Sequence, residues 1–118
     1  MVEKFKQILA ALQQQGKISL FVVLKMDDYV NSWSIVVCGE NLRAGDKDSF
    51  SQVVRVFNDL LSKEEKSSIA RIGIFNESDY IPQLFANYKD GTEILKETKI
   101  NGFVVYEGHI LISNLKTV

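Results

Sequence analysis

The sequence predicts an α+β fold: one compact domain over residues 1–118, with a mixed sheet of five or six strands flanked by about three helices, and α/β as the neighbouring class. Three observations predict it. Apolar residues recur at helical spacing in two long segments, strand-sized runs of Val, Ile, Leu and Phe lie between and after them, and one helical segment separates two such runs. A chain of 118 residues, 46% hydrophobic, is long enough to bury one ordinary core and too short for two.

Val2, Phe5, Ile8, Leu9 and Leu12 fall on one face of a helix over residues 2–15, and Gly16 fits a left-handed cap after it. Ile18 to Met26 carries charge only at Lys25 and reads as a strand covered on both faces. A second strand runs from about Ser32 to Cys38. Asp27 to Asn31 form the turn between them, making an antiparallel hairpin.

Gly39 to Asp48 is a loop, and Asp48 or Ser49 caps the helix that follows. Phe50, Val53, Val54, Phe57, Leu60 and Leu61 give that helix a wide apolar stripe. Ser62 and Glu65 have the spacing of a capping box and start a short helical segment. Ala70 to Phe75 is a strand, parallel to residues 32–38 if the two are neighbours, because the helix between them makes a right-handed crossover. Ser78 or Asp79 opens a further helix that turns Ile81, Leu84, Phe85 and Tyr88 inward, with Pro82 near its first turn. Asp90-Gly91 is a turn, Thr92 to Lys96 an edge strand, and Gly102 to Ser113 either one strand bulged at Gly108 or a hairpin turning there.

Composition excludes several classes of function. With 14 basic against 15 acidic side chains the chain lacks the cationic surplus that neutralises phosphates, so nucleic acid is disfavoured as a partner. The longest apolar stretch is strand-sized, which gives no membrane partner, and residues 1–15 lack the features of a signal peptide. A single Cys supports no internal disulfide, so a cytoplasmic location is the default. One His and one Cys cannot supply a zinc site, no Gly-rich phosphate loop follows a strand, and His109 has no obvious partner in sequence. No metal and no cofactor is therefore assigned.

Two sets of residues remain as candidates. Ligands of strand-helix-strand units bind beyond the carboxyl ends of the strands, which brings together Glu40 and Asp46 from one loop with Glu77, Ser78 and Asp79 from another. Asp90, Glu97 and Lys99 form a weaker carboxylate-lysine set of the kind that holds a divalent cation in nucleases. Tyr29 and Trp33 are candidate interface anchors, although Trp33 shares a strand face with Ile35 and Val37 and would be buried with them.

The blocks Ser32-Trp33-Ser34-Ile35-Val36-Val37, Ala70 to Phe75 and Gly102 to Ser113 resemble blocks found in a group of small uncharacterised bacterial proteins. That resemblance covers roughly the last three quarters of the chain; it implies one compact domain and transfers no site. The expectation is a small soluble, non-catalytic domain that binds a ligand or a protein, its own copy included. The alternative is a divalent-cation-dependent enzyme, hydrolase or nuclease-like, working through the loop carboxylates.

Overall fold

Apolar alternation on two adjacent strands builds the centre of the molecule. A computed structural model describes residues 1–26 and 29–115, with Tyr29 and Val30 described in their backbone only. Strand β1 (Ile18–Met26) sends Phe21 and Val23 to one face of the sheet and Leu20, Val22 and Leu24 to the other, all of them buried. β2 (Tyr29–Gly39) pairs antiparallel with it and alternates likewise, with Trp33, Ile35 and Val37 against Val36 and Cys38.

The remaining strands are β3 (Ile69–Ile74), β4 (Thr92–Ile94), β5 (Thr98–Ile100) and β6 (Phe103–Ser113). The sheet runs β3-β2-β1-β6-β4, with β5 also paired to β6, and among the described residues only the pair β2–β3 is parallel. The six-stranded mixed sheet is the predicted α+β architecture. β6 is one continuous strand, and its irregularities against β1 fall opposite Phe21/Val22 and Lys25/Met26 rather than at Gly108. Gly108 has another role: a Cβ there would stand 2.9 Å from Leu24 Cδ2, so its bare backbone lets the two strands' side chains pack.

Helix α1 (Val2–Gln15) and helix α2 (Lys47–Leu60) cover the first face, burying Phe5, Ile8 and Leu12 from one and Val53, Val56 and Phe57 from the other. Phe5 meets Trp33 edge to face at 5.3 Å, and Phe57 stacks on Phe21 at 6.5 Å. Three local expectations are corrected. Gly16 is extended (φ 167°), and its lack of a side chain makes room for Asn41, whose Nδ2 donates to the Gln15 carbonyl at 3.1 Å. The cap of α2 is Asp46, which accepts from the Ser49 N–H at 3.0 Å. Phe50 is 48% exposed, because α2 turns Ser49 rather than Phe50 inward.

The second face is covered more sparsely. After the capping-box helix α3 (Lys63–Ser67) and β3, helix α4 spans only Tyr80–Gln83. Leu84, Phe85 and Ala86 donate to carbonyls three residues back, so the segment continues in tight turns where the sequence predicts further helix. The hairpin β5–β6 turns at Asn101 (φ 47°) and Gly102 (φ 89°), between the paired residues Ile100 and Phe103. Asn-Gly is the preferred two-residue hairpin turn, and it is this signal that marks β5 as a strand of its own.

Candidate ligand-binding cavity

Where the short cover of the second face ends, the sheet carries a cavity of about 240 Å³. Its floor is Val36 of β2 and Gly73 of β3, adjacent in register. Gly73 leaves that floor bare; a Cβ there would meet the Phe75 ring at 2.7 Å. One wall is Ile81, Leu84 and Phe85 from the turns after β3, and the other is Ile100, Phe103 and Val105 from the β5–β6 hairpin. Apolar walls of this kind gain free energy by exchanging water for an apolar guest.

Polar side chains reach the cavity at one end only. Among the described residues that line it, Ser34 and Arg71 alone are polar, and they are partners across the parallel pair β2–β3. Arg71 Nε donates to Ser34 Oγ at 3.2 Å, and Nη2 lies 4.0 Å from the Met26 sulfur. Ser34 is 3% exposed whereas the Arg71 side chain reaches solvent, so the polar end is also the mouth.

The sequence-derived candidates lie elsewhere. Glu40, Glu77 and Ser78 do share a shallow depression beyond β2 and β3, and the two loops are joined where the Ala44 N–H donates to Asn76 Oδ1 at 3.2 Å. Asp46 lines an adjoining hollow with Glu40 and is engaged in capping α2, its Oδ2 also accepting from Ser49 Oγ at 2.8 Å. These bonds hold the Asp46 carboxyl below its ordinary value. Asp79 Oδ2 accepts from the Asn76 N–H at 2.8 Å, closing its own turn. Among the described residues no three His, Cys, Asp or Glu side chains stand where they could hold a metal ion. Asp90 binds the Ser113 N–H at one end of β6, while Lys99 pairs with Val104 near the other, about 30 Å away at ~3.3 Å per residue.

Trp33 is 4% exposed, inside the first core, and Tyr29 begins β2 with its side chain outside the described residues, as are Asp27 and Asp28. His109 is buried between two carboxylates, with Nε2 2.8 Å from Glu107 and Nδ1 3.6 Å from Glu93. Glu107 precedes it by two on the same strand and Glu93 is its cross-strand partner. Cys38 is buried, and its thiol is pushed up to about 12, first by burial and then by the negative charges of Glu77 and Asp79. Burial and the raised thiol leave it little thiolate with which to attack.

A mixed sheet with one helix-covered face and one cavity-bearing face defines the class. No family model, curated protein or solved structure matches the chain.

Among the described residues no helix is long and apolar enough to cross a membrane.

Proposed function

We propose that this protein is a small non-catalytic binding domain that holds a compact apolar molecule in the cavity of its second sheet face. The observation that carries the reading is the cavity itself, walled by two separate elements over a floor left open by Gly73. A dry apolar cavity of about 150 Å³ accommodates benzene. By that scale 240 Å³ accommodates a guest of about eight to ten non-hydrogen atoms. We place the protein in the cytoplasm, a location that the lone, buried Cys38 suits.

The test is a titration of isotope-labelled protein with toluene or n-hexanol, read by amide chemical shifts. Val36, Gly73, Phe85 and Val105 should shift together and saturate, and the melting temperature should rise with ligand concentration. Gly73→Val places a side chain on the cavity floor and should abolish the response. Unchanged shifts at these residues under saturating toluene and hexanol would sink the reading.

Self-association is a second reading, favoured by β3. It ends the sheet and carries Ile69, Ile72 and Ile74 with Arg71 as its one charge, a weakly defended edge. Sedimentation across micromolar concentrations checks it, and a strict monomer rejects it.

A further inference from the structure

We infer that the guest of the cavity is an uncharged molecule with a single carbonyl group, a small ketone, whose oxygen accepts from the Ser34 hydroxyl and whose hydrocarbon portion lies against Leu84, Phe85 and Val105. The inference rests on the cavity being a ligand site and adds the chemistry of the ligand. Ser34 lies on β2 between Leu24 of β1 and Arg71 of β3, on the same sheet face as Val36 of the cavity floor. At 3% exposure it is the one buried polar side chain among the described residues that line the cavity. Its Oγ accepts from Arg71 Nε at 3.2 Å, and among the described residues no acceptor takes the hydroxyl's own hydrogen. A buried O–H with its hydrogen unclaimed calls for an acceptor, and the open space beside it is the cavity.

The charge of the guest follows from Arg71. Its guanidinium is engaged by the protein: Nε donates to Ser34, Nη2 meets the Met26 sulfur, and it has a further interaction besides these. No other charged residue lines the cavity among those described, so an ionic guest would lose its hydration without gaining a counter-charge. Neutral guests differ in what they offer Ser34. A hydrocarbon leaves the hydroxyl hydrogen facing apolar atoms. An alcohol brings a second hydrogen: two hydroxyls facing each other make one bond, and the remaining hydrogen meets Leu84, Phe85, Ile100 or Val105, whose side chains accept nothing. A carbonyl oxygen only accepts, so a single bond satisfies both partners. Size limits the rest: 240 Å³ admits about eight to ten non-hydrogen atoms, the range of acetophenone.

The experiment compares acetophenone with α-methylstyrene, in which a methylene group replaces the carbonyl oxygen in a molecule of the same shape. Affinities are read by amide-shift titration of the wild-type protein and of Ser34→Ala, whose amide spectrum verifies its fold. The affinity ratio, ketone over hydrocarbon, should fall about tenfold in Ser34→Ala, as loss of one hydrogen bond does. Infrared absorption supplies a second measurement that needs no variant. The carbonyl stretch of isotope-labelled acetophenone bound to the wild type should lie below its position in hexane, and in Ser34→Ala it should return toward that position. A ratio unchanged by Ser34→Ala, a bound stretch at the hexane position in the wild type, or binding of the hydrocarbon alone overturns the carbonyl assignment and leaves the cavity reading standing. If neither compound binds, the cavity reading itself falls and takes this inference with it.

Discussion

Asp46 accepts from both the N–H and the hydroxyl of Ser49, while Ser49 Oγ accepts in turn from the Arg43 N–H at 3.1 Å. Both bonds to Asp46 favour its ionised form, so its carboxyl titrates lower in the folded chain than in the unfolded one. The stabilisation is complete above the ordinary carboxylate value of about 4 and is lost as pH falls through the lower folded value. Asp46→Asn, which keeps an acceptor but cannot titrate, should flatten the acid side of the melting profile, and Asp46→Ala should lower the melting temperature at neutral pH as well. Glu65 behaves alike, since its Oε1 accepts from the Ser62 N–H at 2.8 Å. The capping box at Ser62 was legible because its two members have a fixed spacing. The cap of α2 was not, because Asp46, Asp48 and Ser49 are all cap formers within four positions and only the backbone decides among them. For Cys38, held as a neutral thiol, the expected outcome is no alkylation by iodoacetamide at pH 8 in native protein and rapid alkylation in urea. Labelling of the native protein at the rate of a free thiol would contradict this.

At the scale of elements, the long apolar segments could be read directly: α1 and the crossover helix α2 follow from spacings of three to four residues, β1 from an unbroken apolar run, and β2 and β3 are parallel, as expected of neighbours joined through a helix. Orientation was harder. Ser49, Val53, Val56 and Phe57 of α2 face the sheet, a rotation of about one residue from the stripe that includes Phe50. Hydrophobic periodicity fixes an arc wider than a sheet can bury, and tertiary packing selects the part used. Truncating the two aromatics separates the possibilities. Phe57→Ala should cost about 3–5 kcal/mol in urea unfolding, as loss of a buried ring does, whereas Phe50→Ala should change stability by no more than about 0.5 kcal/mol. The β5–β6 hairpin depends on a turn that needs φ above zero twice, at Asn101 and Gly102. Gly102→Ala should therefore cost about 1 kcal/mol or more. It should also weaken ligand binding, because Ile100 and Phe103 flank that turn and form one cavity wall.

Over the whole molecule the two sheet faces differ in how completely they are covered, and that difference makes the cavity. The apolar pattern of the sequence did not disclose it. The segment holding Ile81, Leu84, Phe85 and Tyr88 carries a helical apolar pattern, yet it forms one turn of α-helix and then tight turns, too little to roof the face. A gap between elements is a property of their assembly; Gly73, lacking a side chain within an apolar strand, is its sole local mark. Protection from solvent should follow the same architecture. Amides of Phe21, Val22 and Val23, in the strand buried between β2 and β6, should exchange hydrogen only on global unfolding, and those of β3 and β4 at the sheet's ends through local opening at lower free energy. Native-state exchange in low denaturant measures both.

Residue 21 pairs with residue 112, so the sheet's middle joins segments separated by most of the sequence. A nascent chain made through residue 74 holds β1, β2 and β3, but the second edge of β1, among the most apolar stretches in the protein, has no neighbour until residues 103–113 follow. At a synthesis rate of about 5–20 residues per second, that edge stays open for about 2–8 seconds more after residue 74 is made. The hazard of aggregation is therefore concentrated in the protein's own translation, and pausing ribosomes between residues 74 and 103 would prolong it.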